Sequence, residues 1–130
     1  MSKPDISGLP KKLESLQERT QQLANKINEA IPLTGRSLEQ QQEFLSALTH
    51  LGTVSEMFKS SRPKFRLFDW QKSGSEFSDF AKAFIDKMIA QLGVSAEAAY
   101  LSSAKDLIRT ADEIEALLLR AEKSLAAATA

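Results

Sequence analysis

The sequence predicts an all-α fold, most simply a four-helix bundle. It should have long heptad helices at its N- and C-terminal ends and a long aromatic connection between helices two and three. Three observations carry this. Apolar residues recur at alternating spacings of three and four, glycine and proline fall where those runs stop, and the period-two alternation of strands is missing. The chain's 130 residues fit a single helical domain, 1–130, with about residues 1–8 expected as a flexible tail.

The first helix opens near Gly8 or Pro10, because proline is tolerated in an opening turn. Its stripe is Leu9, Leu13, Leu16, Thr20, Leu23, Ile27 and Ala30, a heptad seam interrupted once by Thr20. Pro32 and Gly35 stop it. Ser37 begins the second helix, with its hydroxyl placed to cap an amide three residues on and Gln40 placed to reach back. Phe44, Leu45, Leu48, Leu51, Val54 and Phe58 read as one buried face. Gly52 lies inside this helix at a cost of about 1 kcal/mol against alanine, which a close helix crossing would explain and a small local weakness would explain equally. Residues 60–75 read as a connection, because Pro63 and Ser73-Gly74-Ser75 interrupt the pattern.

The third helix should carry Phe77, Phe80, Ala81, Phe84, Ile85, Met88, Ile89 and Leu92 on one face and end at Gly93. Ser95 caps the fourth. From there Tyr100, Ala104, Leu107, Ala111, Ile114, Leu118, Ala121 and Leu125 form a second long seam. If helical to about Ala128, it is roughly 50 Å long at 1.5 Å per residue. Leu48, Leu51, Phe84, Met88, Leu107 and Ile114 are the expected core.

Charges beside the two long seams bear on helix order. Lys12, Arg19 and Lys26 recur every seven residues, as do Glu115 and Glu122. With Leu13 and Ala104 at heptad position a, the bases fall at g and the acids at e, which meet across parallel helices. An up-down-up-down bundle would make the outer helices antiparallel. The long connection could instead lay the third helix alongside the second and make them parallel. The plainer expectation is that these charges are simply solvated.

Composition excludes much chemistry. Seventeen basic residues balance seventeen acidic ones, there is no cysteine, and His50 is the single histidine. Residues 1–75 carry a small basic surplus and residues 76–130 an equal acidic one, too weak for a specific nucleic-acid signal. No apolar run reaches the ~20 residues of a membrane span, and the opening residues carry no secretory pattern, so a cytoplasmic protein is expected.

His50 on a helix resembles the phosphoacceptor of histidine phosphotransfer domains, which match in size and class. Those usually follow the histidine with lysine and then glycine, whereas here Leu51, Gly52 and Thr53 follow. Asp112, Glu113 and Glu115 lie on a polar face, Glu-x-x-His is missing, and no glycine-rich phosphate loop occurs. The expectation is no enzyme, no cofactor and no metal.

What remains is Arg62, Lys64, Phe65, Arg66, Phe68 and Trp70, where bases interleave with aromatics as at protein-binding hot spots. This segment is the expected partner-binding site, unless it only covers the core. Leu118 and Leu125, on the last turns of the longest helix, are the expected oligomerisation residues, and truncation after Arg120 should then spare most of the core. The expected function is a non-catalytic protein-interaction module: an adaptor, chaperone or immunity-type binder. Its partner would be another protein or a second copy in a homodimer. One alternative is a phasin-like amphipathic coat on a lipid or polymer granule, a peripheral surface; another is phosphotransfer through His50.

Overall fold

Gly35 and Gly93 punctuate the chain, and helices run on either side of them. The computed structural model describes residues 8–31, 34–65, 83, 86–87, 89–91, 93 and 95–130. Nearly all are helical, and no strand occurs among them. Helix α1 spans Leu9–Glu29, α2 spans Leu38–Phe65, and α3 spans Ala96–Ala128, the fourth of the helices expected from sequence. The described residues between Ala83 and Gln91 are also helical.

The boundaries follow local chemistry. Gly35 adopts a φ of 85° in the α1–α2 turn, and Gly93 a φ of 67° where its amide bonds the carbonyl of Ile89 at 2.9 Å. Left-handed backbone of this kind is strained for any residue with a Cβ. Ser37 and Gln40 form the expected capping box: the Gln40 amide donates to Ser37 Oγ at 3.1 Å, and the Ser37 amide to Gln40 Oε1 at 3.0 Å. Ser95 Oγ accepts from the Ala98 amide at 3.1 Å.

One boundary departs from the sequence reading. Helix α2 does not stop near Ser60 but continues through Pro63 to Phe65, 28 residues in all. Proline forfeits a single amide donor, and with only two helical residues beyond it the loss falls in the last turn, where little remains to be broken. The helical backbone therefore takes in Arg62, Lys64 and Phe65. The rest of the expected aromatic connection lies outside the described residues.

The chain divides into two compact units. One is Met1–Leu13 with Ser60–Ala111, and the other Glu14–Lys59 with Asp112–Ala130. In the first, Leu9, Leu13, Ala104, Leu107 and Ala111 are buried, and so are Ser61 and Thr110. Thr110 satisfies its hydroxyl by donating to the Asp106 carbonyl at 2.8 Å, and Arg109 meets the Asp106 carboxylate at 2.6 Å. Phe84 and Met88, expected in the core, lie outside the described residues.

The second unit packs parts of all three helices. Leu16, Leu23 and Ile27 from α1, Phe44, Ala47 and Val54 from α2, and Ile114, Leu118, Ala121, Leu125 and Ala128 from α3 are all buried. Ser46 lies 3.4 Å from Ser124, and the Gln40 side chain donates to the Ala130 carbonyl at 3.0 Å. Numbers that fall on α2 as they rise on α3 make those two antiparallel. Arg19 pairs with Glu122, while Leu23 and Lys26 share a groove with Leu125 and Thr129. Numbers rising together make α1 and α3 parallel in this unit.

Two expectations for α2 need correction. Leu48 is 45% exposed and Leu45 58% exposed, while Ala47 is fully buried. The buried stripe is the narrower seam Phe44, Ala47, Leu51 and Val54, and Leu51 itself is only half-buried. At about 100° per residue, Leu45 and Leu48 stand roughly 100–180° from Ala47 and Val54 around the helix, outside the arc that one packed seam covers.

Candidate protein-interaction surface

Two grooves flank α1 in the second unit, and their chemistry differs. The groove against α3, about 260 Å³, is ionic and includes Arg19, Lys26, Glu122 and Thr129. Arg19 forks onto the Glu122 carboxylate, Nε to Oε2 at 3.3 Å and Nη2 to Oε1 at 2.5 Å. The hydrogen bond that Arg19 donates to Glu122, aided by the charges of Glu122 and Glu115, raises the Arg19 guanidinium above its usual basicity despite some burial. Here the g-position base meets the e-position acid across parallel helices, closing this groove with its own charges.

The groove against α2, about 350 Å³, carries no charge. Gln17, Thr20, Gln21 and Ala24 line it from α1, and Leu51, Ser55 and Phe58 from α2. Beside it, on α2, Leu38 is 71% exposed, with Leu45 and Leu48 also outside the core. Leu38, Leu45 and Gly52 are spaced by seven, with Leu48 and Ser55 completing the three–four alternation. This is a second heptad seam on the same helix, turned outward. Ile31 is exposed at the hairpin end. No lysine or arginine occurs between Arg36 and Lys59. By helical position Glu39 and Glu43 fall on the far side of α2, and Glu56 and Lys59 bound the seam at its end. A Cβ placed on Gly52 would meet nothing within 4 Å, so no intrachain crossing requires the glycine.

No protein-family model, curated protein or solved structure matches the chain. Its own surfaces therefore carry the functional argument.

Of the residues expected to bind a partner, Arg62, Lys64 and Phe65 lie on the last turns of α2. Arg66, Phe68 and Trp70 lie outside the described residues. Of the expected oligomerisation residues, Leu118 is 0% and Leu125 5% exposed, both in the chain's own core. The last turns of α3 lie against α2, where Gln40 and Ser46 meet Ala130 and Ser124. Arg36 donates to the Ala128 carbonyl at 2.8 Å there. His50 is half-buried on α2, and among the described residues no three His, Asp or Glu side chains gather as a metal site. No helix among those residues is long and apolar enough to cross a membrane.

The outward seam was missed because both leucine registers on α2 were merged into one broad face. The signal was present: Leu38–Leu45–Gly52 repeats every seven residues beside the Phe44–Leu51–Phe58 repeat. Two parallel seams exceed what one core contact needs.

Proposed function

We propose that this chain is a non-catalytic helical interaction module of the cytoplasm, an adaptor, chaperone or immunity-type binder, acting through the uncharged α1–α2 face. We take its architecture as the four-helix bundle, the third helix expected from sequence being its fourth member. The carrying observation is the exposed seam of Leu38, Leu45 and Leu48 beside a groove lined by amides, hydroxyls and apolar side chains. An apolar strip with a polar, hydrogen-bonding rim is the anatomy of a protein interface. A helix lying on a lipid surface instead wants lysine and arginine beside its apolar face, and this stretch of α2 has neither. Nucleic acid would need the same cations.

The test is capture from a cell extract by the tagged chain, its Leu45→Glu/Leu48→Glu form, and Leu119→Glu as control. Leu119 is also exposed, at 46%, but stands on α3. The expected result is a protein held by the wild type and the control and lost by the double variant. Capture unchanged by the double variant would overturn the reading.

A further inference from the structure

We infer that the occupant of the α1–α2 face is a second copy of this chain, docked α2 against α2 in antiparallel sense about a two-fold axis between Leu45 and Leu48. The inference rests on the interaction-module reading and names its partner. Its first ground is charge. Across a two-fold axis each group near the centre faces its own copy, so like charges there repel. In a chain with 34 charged side chains, this face from Leu38 to Ser55 presents none toward the seam. The balance of seventeen bases against seventeen acids also leaves two copies without net repulsion.

The second ground is hydrogen bonding. Gln17 and Gln21 border the groove, and an amide both donates and accepts, so this rim accepts polar groups without selecting a sign of charge. A partner recognised by charge would call for a fixed sign on this rim.

The third ground is Gly52. It weakens α2, its φ is not left-handed, and it has open space where a Cβ would stand. A helix crossing from outside gives it a purpose. In the antiparallel register that sets Leu45 opposite Leu48 of the second copy, Gln41 lies opposite Gly52 and Leu38 opposite Ser55. Away from the central leucines each larger side chain then meets a small one, as interdigitating layers favour.

The size is consistent with a reversible dimer. Eighteen residues of α2 span roughly 27 Å, and two helices side by side are about 20 Å wide, giving on the order of 540 Å² per copy. That is the low end for specific interfaces, where association is weak and transient.

The experiment is sedimentation of the full chain from low to high micromolar concentration, with helicity checked by circular dichroism. The wild type and Leu119→Glu should form a dimer at high concentration. Leu45→Glu and Leu48→Lys should each stay monomeric with unchanged helicity, at least tenfold weaker in self-association. Mixed together, those two variants should form a dimer again, because the register sets the new glutamate against the new lysine of the other copy. This pairing would not arise from misfolded variants.

A monomeric wild type at high micromolar concentration overturns the inference, as does dimerisation insensitive to Leu45 or a mixture that stays monomeric. If the wild type is monomeric yet loses extract capture in the double variant, the interaction reading stands and its partner is another protein. A wild-type monomer that binds phosphatidylcholine vesicles through Leu45 and Leu48 overturns the inference in favour of a surface coat.

Discussion

Leu118 and Leu45 carry the same side chain, yet the first is fully buried and the second more than half exposed. Truncating each should therefore give very different results. Leu118→Ala should cost about 2–5 kcal/mol, the loss of buried methyl groups together with the cavity left behind. Leu45→Ala should stay within about 0.5 kcal/mol in dilute solution, where no second copy competes. Urea melts at low micromolar concentration would check both, and similar losses would contradict the two-seam description of α2. Gly52→Ala tests the same region in the opposite direction. With open space for the methyl and ordinary helical φ, it should raise monomer stability by about 0.5–1 kcal/mol. A fall in the urea midpoint would mean that a neighbour occupies that space.

At the scale of elements, the helix starts rest on one or two side chains each. Ser37→Ala removes the hydroxyl that caps the Gln40 amide and should cost about 1 kcal/mol, read from the same melts. The Arg19–Glu122 pair joins two helices, but both side chains are about one-third exposed. A double-mutant cycle with Arg19→Ala and Glu122→Ala should give a coupling of about 0.5–1 kcal/mol that shrinks in high salt. The cap was legible in the sequence because Ser37 and Gln40 stand at a fixed local spacing; the seven-residue repeat of Arg19 allowed the ion pair, but solvated charges were the plainer expectation. Harder to read was which of two overlapping stripes on α2 would be buried. That choice depends on how α1 and α3 are placed around it, which α2's own spacing does not contain. Ala47 shows the difficulty plainly, since a small side chain became fully buried where a larger leucine beside it did not. Pro63 misled for the converse reason: a strong local breaker has little to break in a last turn.

For the molecule as a whole, the parallel run of α1 and α3 changes what a C-terminal truncation should do. Cutting after Arg120 removes Ala121, Leu125 and Ala128 from the buried set, and takes away Glu122 and Ser124, the partners of Arg19 and Ser46. The second unit then loses most of one of its three walls. A loss above about 3 kcal/mol is expected, since burial of Leu125 alone accounts for about 2–5. The thermal transition followed by circular dichroism should broaden and shift down by many degrees. A truncated chain that melts like the full one would place the core elsewhere.

The same arrangement sets a delay during synthesis. Arg19 finds its partner across 103 positions of chain, and Leu16, Leu23, Phe44 and Val54 belong to a buried set that Ile114, Leu118, Ala121 and Leu125 of α3 complete. A ribosome adding roughly 5–20 residues per second needs about 3–13 s to pass from Phe65 to Ala128. Throughout that interval α1 and α2 emerge without the α3 wall of their shared core. The nascent hairpin is therefore most open to holding factors, and to mispairing with neighbouring copies on the same message, before its last helix arrives.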